Sequence, residues 1–133
     1  MISAELRRML VQRAENRCEY CRILDENSYQ PHEVDHVYAE KHGGESNEGN
    51  LCLACWLCNR HKGSDLTSLD PATGEIVRLF HPRRDVWAEH FRLNDALIEA
   101  ITDVGRVTVK LLQLNRPNRV AERRIMLALG IYP

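Results

Sequence analysis

The spacing of apolar positions changes several times along the chain, and each change marks an element. Leu6, Met9, Leu10 and Arg13 fall on one side of a helix predicted from Ala4 to Asn16, with Ser3 placed to cap it. Glu33-Val-Asp-His-Val37 has the β-branched centre of a short strand, and Asn50-Leu51 opens a second after a glycine-bearing loop from Lys41 to Gly49. Cys55 to Lys62 reads as a helix stopped by Gly63. Further on, Leu69-Asp-Pro-Ala-Thr-Gly74 is turn chemistry before a strand-like Glu75–Phe80, which predicts a hairpin about Pro71 to Gly74. Pro82 ends that strand, and Asp85 to His90 suits a helical turn around Trp87. Thr102 is placed to cap a helix from Asp103 to Leu114 that carries Val104, Val107, Leu111 and Leu114 on one face and Arg106, Lys110 and Gln113 on another. Pro117 then starts a last helix closed by Gly130. This succession predicts an α+β fold: a short two-stranded core with its helix, an N-terminal helix beside it, and a C-terminal hairpin with two helices.

Composition narrows the picture. With 133 residues, 44% of them hydrophobic, the chain is expected to form one domain over 1–133. No apolar run has the length of a membrane span. The opening residues mix arginine and glutamate and have no signal-peptide pattern, so a cytoplasmic location, where thiols stay reduced, is expected. The net charge of −1 makes no overall case for nucleic acid, but its distribution is uneven. Seven carboxylates stand against Lys41 between Asp25 and Asn50. Six basic residues (Arg106, Lys110, Arg116, Arg119, Arg123, Arg124) stand against Glu122 from Val104 onward. That contrast fits an acidic centre beside a phosphate-attracting arm, or simply two solvated faces.

Cys18-x-x-Cys21 and Cys55-x-x-Cys58 are two thiol pairs, each in a tight turn. Such pairs bring four sulfurs to one ion and leave no position open, which is the chemistry of structural Zn²⁺. In a short chain a site of this kind, worth roughly 10–16 kcal/mol, dominates folding. A redox pair or plain core cysteines is the competing reading. Cys52, three residues before Cys55, is expected to be a packing residue.

Between the pairs stand Val34-Asp35-His36, Gly43-Gly44, Asn50-Leu51 and Cys58-Asn59 with Lys62. In this order the elements resemble the HNH endonuclease family, in its branch with paired cysteines, over about residues 16–63. The resemblance implies a ββα-metal fold, His36 as general base, Asp35 and Asn59 as ligands of a catalytic metal, and Asn50 as the brace of the loop that orients the base. Asn59 stands where that family's second histidine is found in other branches.

The chemistry agrees with those roles. Hydrolysis of a phosphodiester needs a base for water, a cation on the phosphate and help for the departing 3′ oxygen. A neutral imidazole accepts a proton, and the oxygens of Asp35 and Asn59 suit Mg²⁺ or Mn²⁺. One geometric difficulty is visible: adjacent strand residues point to opposite faces, yet Asp35 and His36 must serve one phosphate.

Arg60, His61 and Lys62 on the metal-bearing helix, with Arg106, Lys110, Arg119 and Arg123 further on, are the expected nucleic-acid contacts, the arginines lying on exposed faces. His32 and His42 are expected on the surface, Trp56 and Trp87 in packing, and Arg83 and Arg84 in a basic corner. The resulting expectation is a metal-dependent endonuclease cutting or nicking nucleic acid, most readily double-stranded DNA. A zinc-binding nucleic-acid module without catalysis is the alternative, and a protein-interaction domain a more remote one.

Overall fold

The computed structural model describes residues 2–133. Helix α1 (Ala4–Ala14) is capped by the Ser3 side chain, which accepts from the Leu6 amide at 3.0 Å. It stops two residues short of the expected end because Glu15 and Asn16 turn left-handed, with φ of 55° and 62°. Strand β1 (Glu33–His36) pairs antiparallel with β2 (Leu51–Ala54), and Asp35 lies opposite Cys52. Every residue of β2 is buried. It is sandwiched because α1 packs on it: Arg13 donates to the carbonyls of Leu51 at 2.6 Å and Glu48 at 2.8 Å. Each fully buried leucine in this contact, such as Leu10, Leu51 and Leu53, contributes about 1.5–3 kcal/mol.

Helix α2 (Trp56–Lys62) follows β2 directly, its N-cap being Cys55. The hairpin of β3 (Thr67–Leu69) and β4 (Ile76–Arg78) forms about the predicted turn. Its end is pinned by Asp70, whose buried carboxylate receives two bonds from Arg106 at 2.7 and 2.9 Å. That guanidinium, with the Ala72 amide, holds the Asp70 carboxyl down at about 2.

Helix α3 (Trp87–His90) is a single turn that runs straight into β5 (Phe91–Asn94), which pairs with β6 (Leu97–Ala100). This second C-terminal hairpin is absent from the sequence reading. Helix α4 (Asp103–Leu111) is capped by Thr102 as expected and ends three residues early, where Leu112 caps it and Gln113 takes φ 52°. Leu112 and Leu114 are nevertheless wholly buried, placed in the core by the turn. Helix α5 (Pro117–Ala128) closes at Gly130, φ 72°.

The three two-stranded sheets are separate, so the core lies where helices and hairpins meet. It runs from the cysteine turns through Phe80, Phe91 and Ile98 to Val104, Leu112 and Leu114. The C-terminal half therefore covers the cysteine turns. Trp87 donates its indole N–H to the Tyr20 carbonyl at 2.8 Å, and the Tyr132 hydroxyl donates to the Cys21 carbonyl. Among the described residues no helix is long and apolar enough to cross a membrane.

Candidate functional site

The four cysteines come together from two turns. Cys18 and Cys21 lie between α1 and β1, and Cys55 and Cys58 span the start of α2, all buried and none in a disulfide. Their sulfurs lie within 4.8 Å of one another, and Cys21 Sγ is 3.7 Å from Cys55 Sγ. A tetrahedron with Zn–S bonds of 2.3 Å has edges of about 3.8 Å. The cluster thus has the size and donor set of a structural zinc site. The turns are shaped for thiolates: Cys18 Sγ accepts from the Tyr20 and Cys21 amides, and Cys55 Sγ from the Cys58 amide, each at 3.4 Å.

One further donor comes from a distance. Arg119 on α5 is 4% exposed, and its Nη2 donates to Cys58 Sγ at 3.1 Å and reaches Cys55 Sγ at 3.9 Å. Its Nη1 donates to the Leu112 carbonyl at 2.9 Å. Burial works against the charge, but the sulfurs of Cys58, Cys21 and Cys55 outweigh it and hold the guanidinium charged. Arg123 is also buried, its Nε on the Ala96 carbonyl and its Nη2 on Asn115 Oδ1, both at 2.8 Å. The expectation that these arginines lie on exposed faces is overturned. Their charge is spent on sulfur, carbonyl and amide groups inside the fold, and neither guanidinium faces solvent. Arg106 is likewise engaged by Asp70. Lys110 and Arg116 remain exposed.

The second centre is built on β1. Asp35 points inward and is buried. Tyr20 Oη donates to its Oδ2 at 3.3 Å, Lys62 Nζ lies 3.3 Å from the same oxygen, and Cys52 Sγ stands at 3.8 Å. Oδ1 has no hydrogen-bond partner among the described residues. Burial raises the Asp35 carboxyl above the ordinary range, against Lys62 and Tyr20, which hold it down. Cys52 is a packing residue as expected, and burial beside Asp35 raises its thiol well above the usual range. Lys62 is 2% exposed and also donates to the His36 carbonyl at 3.1 Å. That position, behind the strand, is not the surface placement expected of a phosphate contact. The packing of α2 against β1 turns this lysine inward, on the face it shares with Asn59 three residues earlier.

His36 points the other way and is partly accessible. Its Nε2 is 2.8 Å from Ser46 Oγ and 3.5 Å from Glu40 Oε1. The loop that brings Ser46 and Glu40 there is held by Asn50. Its amide donates to the carbonyls of Tyr38 and Glu45, and its Oδ1 accepts from the Tyr38 amide, all at 2.9 Å. Gly44 makes this possible, because a Cβ there would collide with the Tyr38 carbonyl and crowd the Asn50 amide. Asn59 is half-buried on α2, with no side-chain hydrogen bond among the described residues. Next to it, Arg60 is exposed and lies over the Trp56 ring, 5.4 Å from its centroid. His61 approaches Gln113, and burial followed by Arg119, Arg116 and Arg60 lowers its pKa.

Residues 18–65 match the family model of the HNH endonucleases. The match spans both cysteine turns, Asp35-His36, Asn50 and Asn59, and it points to a nuclease acting on nucleic acid. Neither a curated protein nor a solved structure matches the chain. Outside the HNH segment, Trp87, Arg119 and Tyr132 touch its cysteine turns, and the sequence reading assigned no such role to them. For Arg119 the signal was present but misread, since an arginine amid Val120 and Met126 on an amphipathic helix is as compatible with a buried ionic partner as with phosphate. Other neighbours missed were Tyr20, Ser46 and Glu40. Tyr20 lies inside the first cysteine turn, where its backbone role hides its side-chain one. His32 is buried rather than on the surface, its Nε2 2.9 Å from the Ile23 carbonyl. His42 is exposed as expected, Trp87 packs against the core, and Trp56 is half-buried beside Arg60. Arg83 pairs with Glu19, while Arg84 lies exposed against Tyr38.

Proposed function

We propose that this protein is a metal-dependent HNH endonuclease that hydrolyses or nicks phosphodiester bonds of DNA, with His36 as general base. The observation that carries the reading is the opposed placement of Asp35 and His36 on β1. Asp35 is anchored from inside by Lys62 and Tyr20, while His36 presents its imidazole at the loop braced by Asn50. On this reading the phosphate lies at the strand edge, where the two side chains need not point the same way.

Asp35, through its unpaired Oδ1, and Asn59, through its unengaged amide oxygen, are the residues that would hold a catalytic Mg²⁺ or Mn²⁺. The donor set is all oxygen and suits a hard cation. When bound, such an ion supplies the positive charge that a phosphorane-like transition state requires. The chain's own residues do the rest. His36 takes the proton of the attacking water, Ser46 and Glu40 fix the ring, and Asn50 keeps their loop in register. Lys62 holds Asp35 in place and neutralises it until a cation is present. With Arg119 and Arg123 buried and Arg124 paired with Asp95, DNA is expected to lie along the exposed cations Arg60, Lys110 and Arg116, with Arg84 beside the loop.

The test is cleavage of supercoiled plasmid by the zinc-loaded protein with and without added Mg²⁺ or Mn²⁺. Cleavage should require the added ion, and His36→Ala should abolish it while zinc content and DNA affinity stay unchanged. A His36→Ala protein that cuts at more than a few per cent of the normal rate, on the order of a tenfold deficit instead of the 10²–10⁴ of a lost base, would rule His36 out. Wild-type protein that binds DNA but never cuts would make the site a non-catalytic module.

A further inference from the structure

We propose that Arg119 is the charge-balancing partner of the cysteine-bound zinc, so that the metal is held partly from outside the HNH segment. The inference rests on reading the four-cysteine cluster as a zinc site and goes beyond it. Four thiolates leave a divalent ion with two excess negative charges in a buried place, and burying uncompensated charge is costly. Backbone N–H groups soften this at Cys18 and Cys55, the first cysteine of each turn. Among the described residues no backbone amide reaches Cys58 Sγ. The Nη2 of Arg119, at 3.1 Å, supplies that sulfur with a donor and with a positive charge.

The guanidinium is not there by chance packing. Its other nitrogen bridges the carbonyls of Leu112 and Gln113, at 2.9 and 3.3 Å, just past the end of α4. The Leu112 carbonyl, at the C-cap of α4, lies at the negative end of that helix, so the guanidinium is held on two sides. Arg119 lies 61 residues from Cys58 in sequence, which makes retention of the metal a property of the whole fold. Arg119 is a positioning residue; it touches the thiolates and not the ion.

The experiment measures zinc release from the full chain into excess 4-(2-pyridylazo)resorcinol, for wild type, Arg119→Gln and Arg119→Lys. Glutamine keeps a donor and loses the charge; lysine keeps the charge and loses the fork. A charge-assisted hydrogen bond to a buried group corresponds to roughly a tenfold or larger factor. Release from Arg119→Gln should therefore be at least about tenfold faster than from wild type, with Arg119→Lys in between. Equal rates for wild type and Arg119→Gln would overturn the proposal. So would Arg119→Lys releasing as fast as Arg119→Gln, because packing alone would then explain the loss.

A measurement on wild type covers variants that do not fold. In the ¹¹³Cd-substituted protein, guanidinium protons of Arg119 should show scalar coupling to the metal through the sulfur. Absence of that coupling, with couplings from the Tyr20, Cys21 and Cys58 amides present, would overturn the proposal on its own. Wild type that neither contains nor takes up zinc would remove the metal reading itself, an outcome distinct from unchanged release rates.

Discussion

At the scale of residues, the most consequential contact is the one between Lys62 and Asp35, 3.3 Å apart and both buried. Burial raises the Asp35 carboxyl, so its proton is bound more readily in the folded chain than in the unfolded one. The ionised form therefore costs stability at neutral pH, and the cost is relieved as pH falls through the raised value. Lys62→Met removes the principal group holding the carboxyl down. It should destabilise the zinc-loaded protein by about 3–5 kcal/mol, the usual consequence of stranding a buried charge. Lys62→Met/Asp35→Asn should be less destabilised than the sum of its single variants by about 1–3 kcal/mol in urea unfolding. Strict additivity would show that the pair does not act as a unit. The same Lys62→Met change should move the acid limb of the pH–activity profile to higher pH, since a protonated Asp35 is a poor ligand for a hard cation.

The elements show how backbone requirements shape the site. The loop between β1 and β2 folds back under Asn50 only because position 44 has no Cβ. Gly44→Ala should cost cleavage far more than it costs zinc affinity, measured on one preparation, because it displaces the loop carrying Ser46 and leaves the cysteine turns alone. On α4, Thr108 is wholly buried, donating to the Val104 carbonyl at 2.7 Å and accepting from the Phe80 amide at 2.9 Å. Thr108→Val keeps the shape and strands that amide, so thermal or urea unfolding should show a loss of about 1–3 kcal/mol. An unchanged midpoint would mean that the amide finds another partner. The hairpin of β5 and β6 is the element that sequence reasoning lost, although Phe91-Arg-Leu alternates and Asn94-Asp95 is turn chemistry. Its strands are four residues each, and the adjoining turn of α3 has no cap to announce it.

Taken as a whole molecule, the C-terminal half closes over the cysteine turns through Trp87, Arg119 and Tyr132. A chain ending after residue 65 should therefore bind zinc weakly and show little cooperative unfolding, even though it contains the matched HNH segment; a stable, zinc-tight fragment would contradict this. The distribution of cations leads to a second expectation at this scale. Binding to duplex DNA in Ca²⁺, followed across a salt series, should lose about 0.9 from the log–log slope for each phosphate contact removed from Arg60, Lys110 or Arg116. Arg123→Met should leave that slope unchanged, because its guanidinium is bound to Ala96 and Asn115. A change in slope on losing Arg123 would mean that α5 opens to meet DNA.

The sequence by itself determined what depends on near neighbours. Two Cys-x-x-Cys turns, a capping serine, a threonine before a helix, and turn residues at Pro71 to Gly74 each fix local geometry within a few bonds. Asp35-His36, Asn50 and Asn59 stood out because their order between the cysteine pairs resembles the HNH pattern, all of it within one short stretch of chain. Only the tertiary structure decided which charges are available. Whether an arginine is solvated, bound to phosphate or buried against sulfur depends on which segment packs over its helix face. Arg119 meets Cys58 across 61 residues of chain, and no local pattern encodes that encounter. The same holds for Lys62, which helical spacing aligns with Asn59 but which only the packing of α2 against β1 turns inward, onto Asp35.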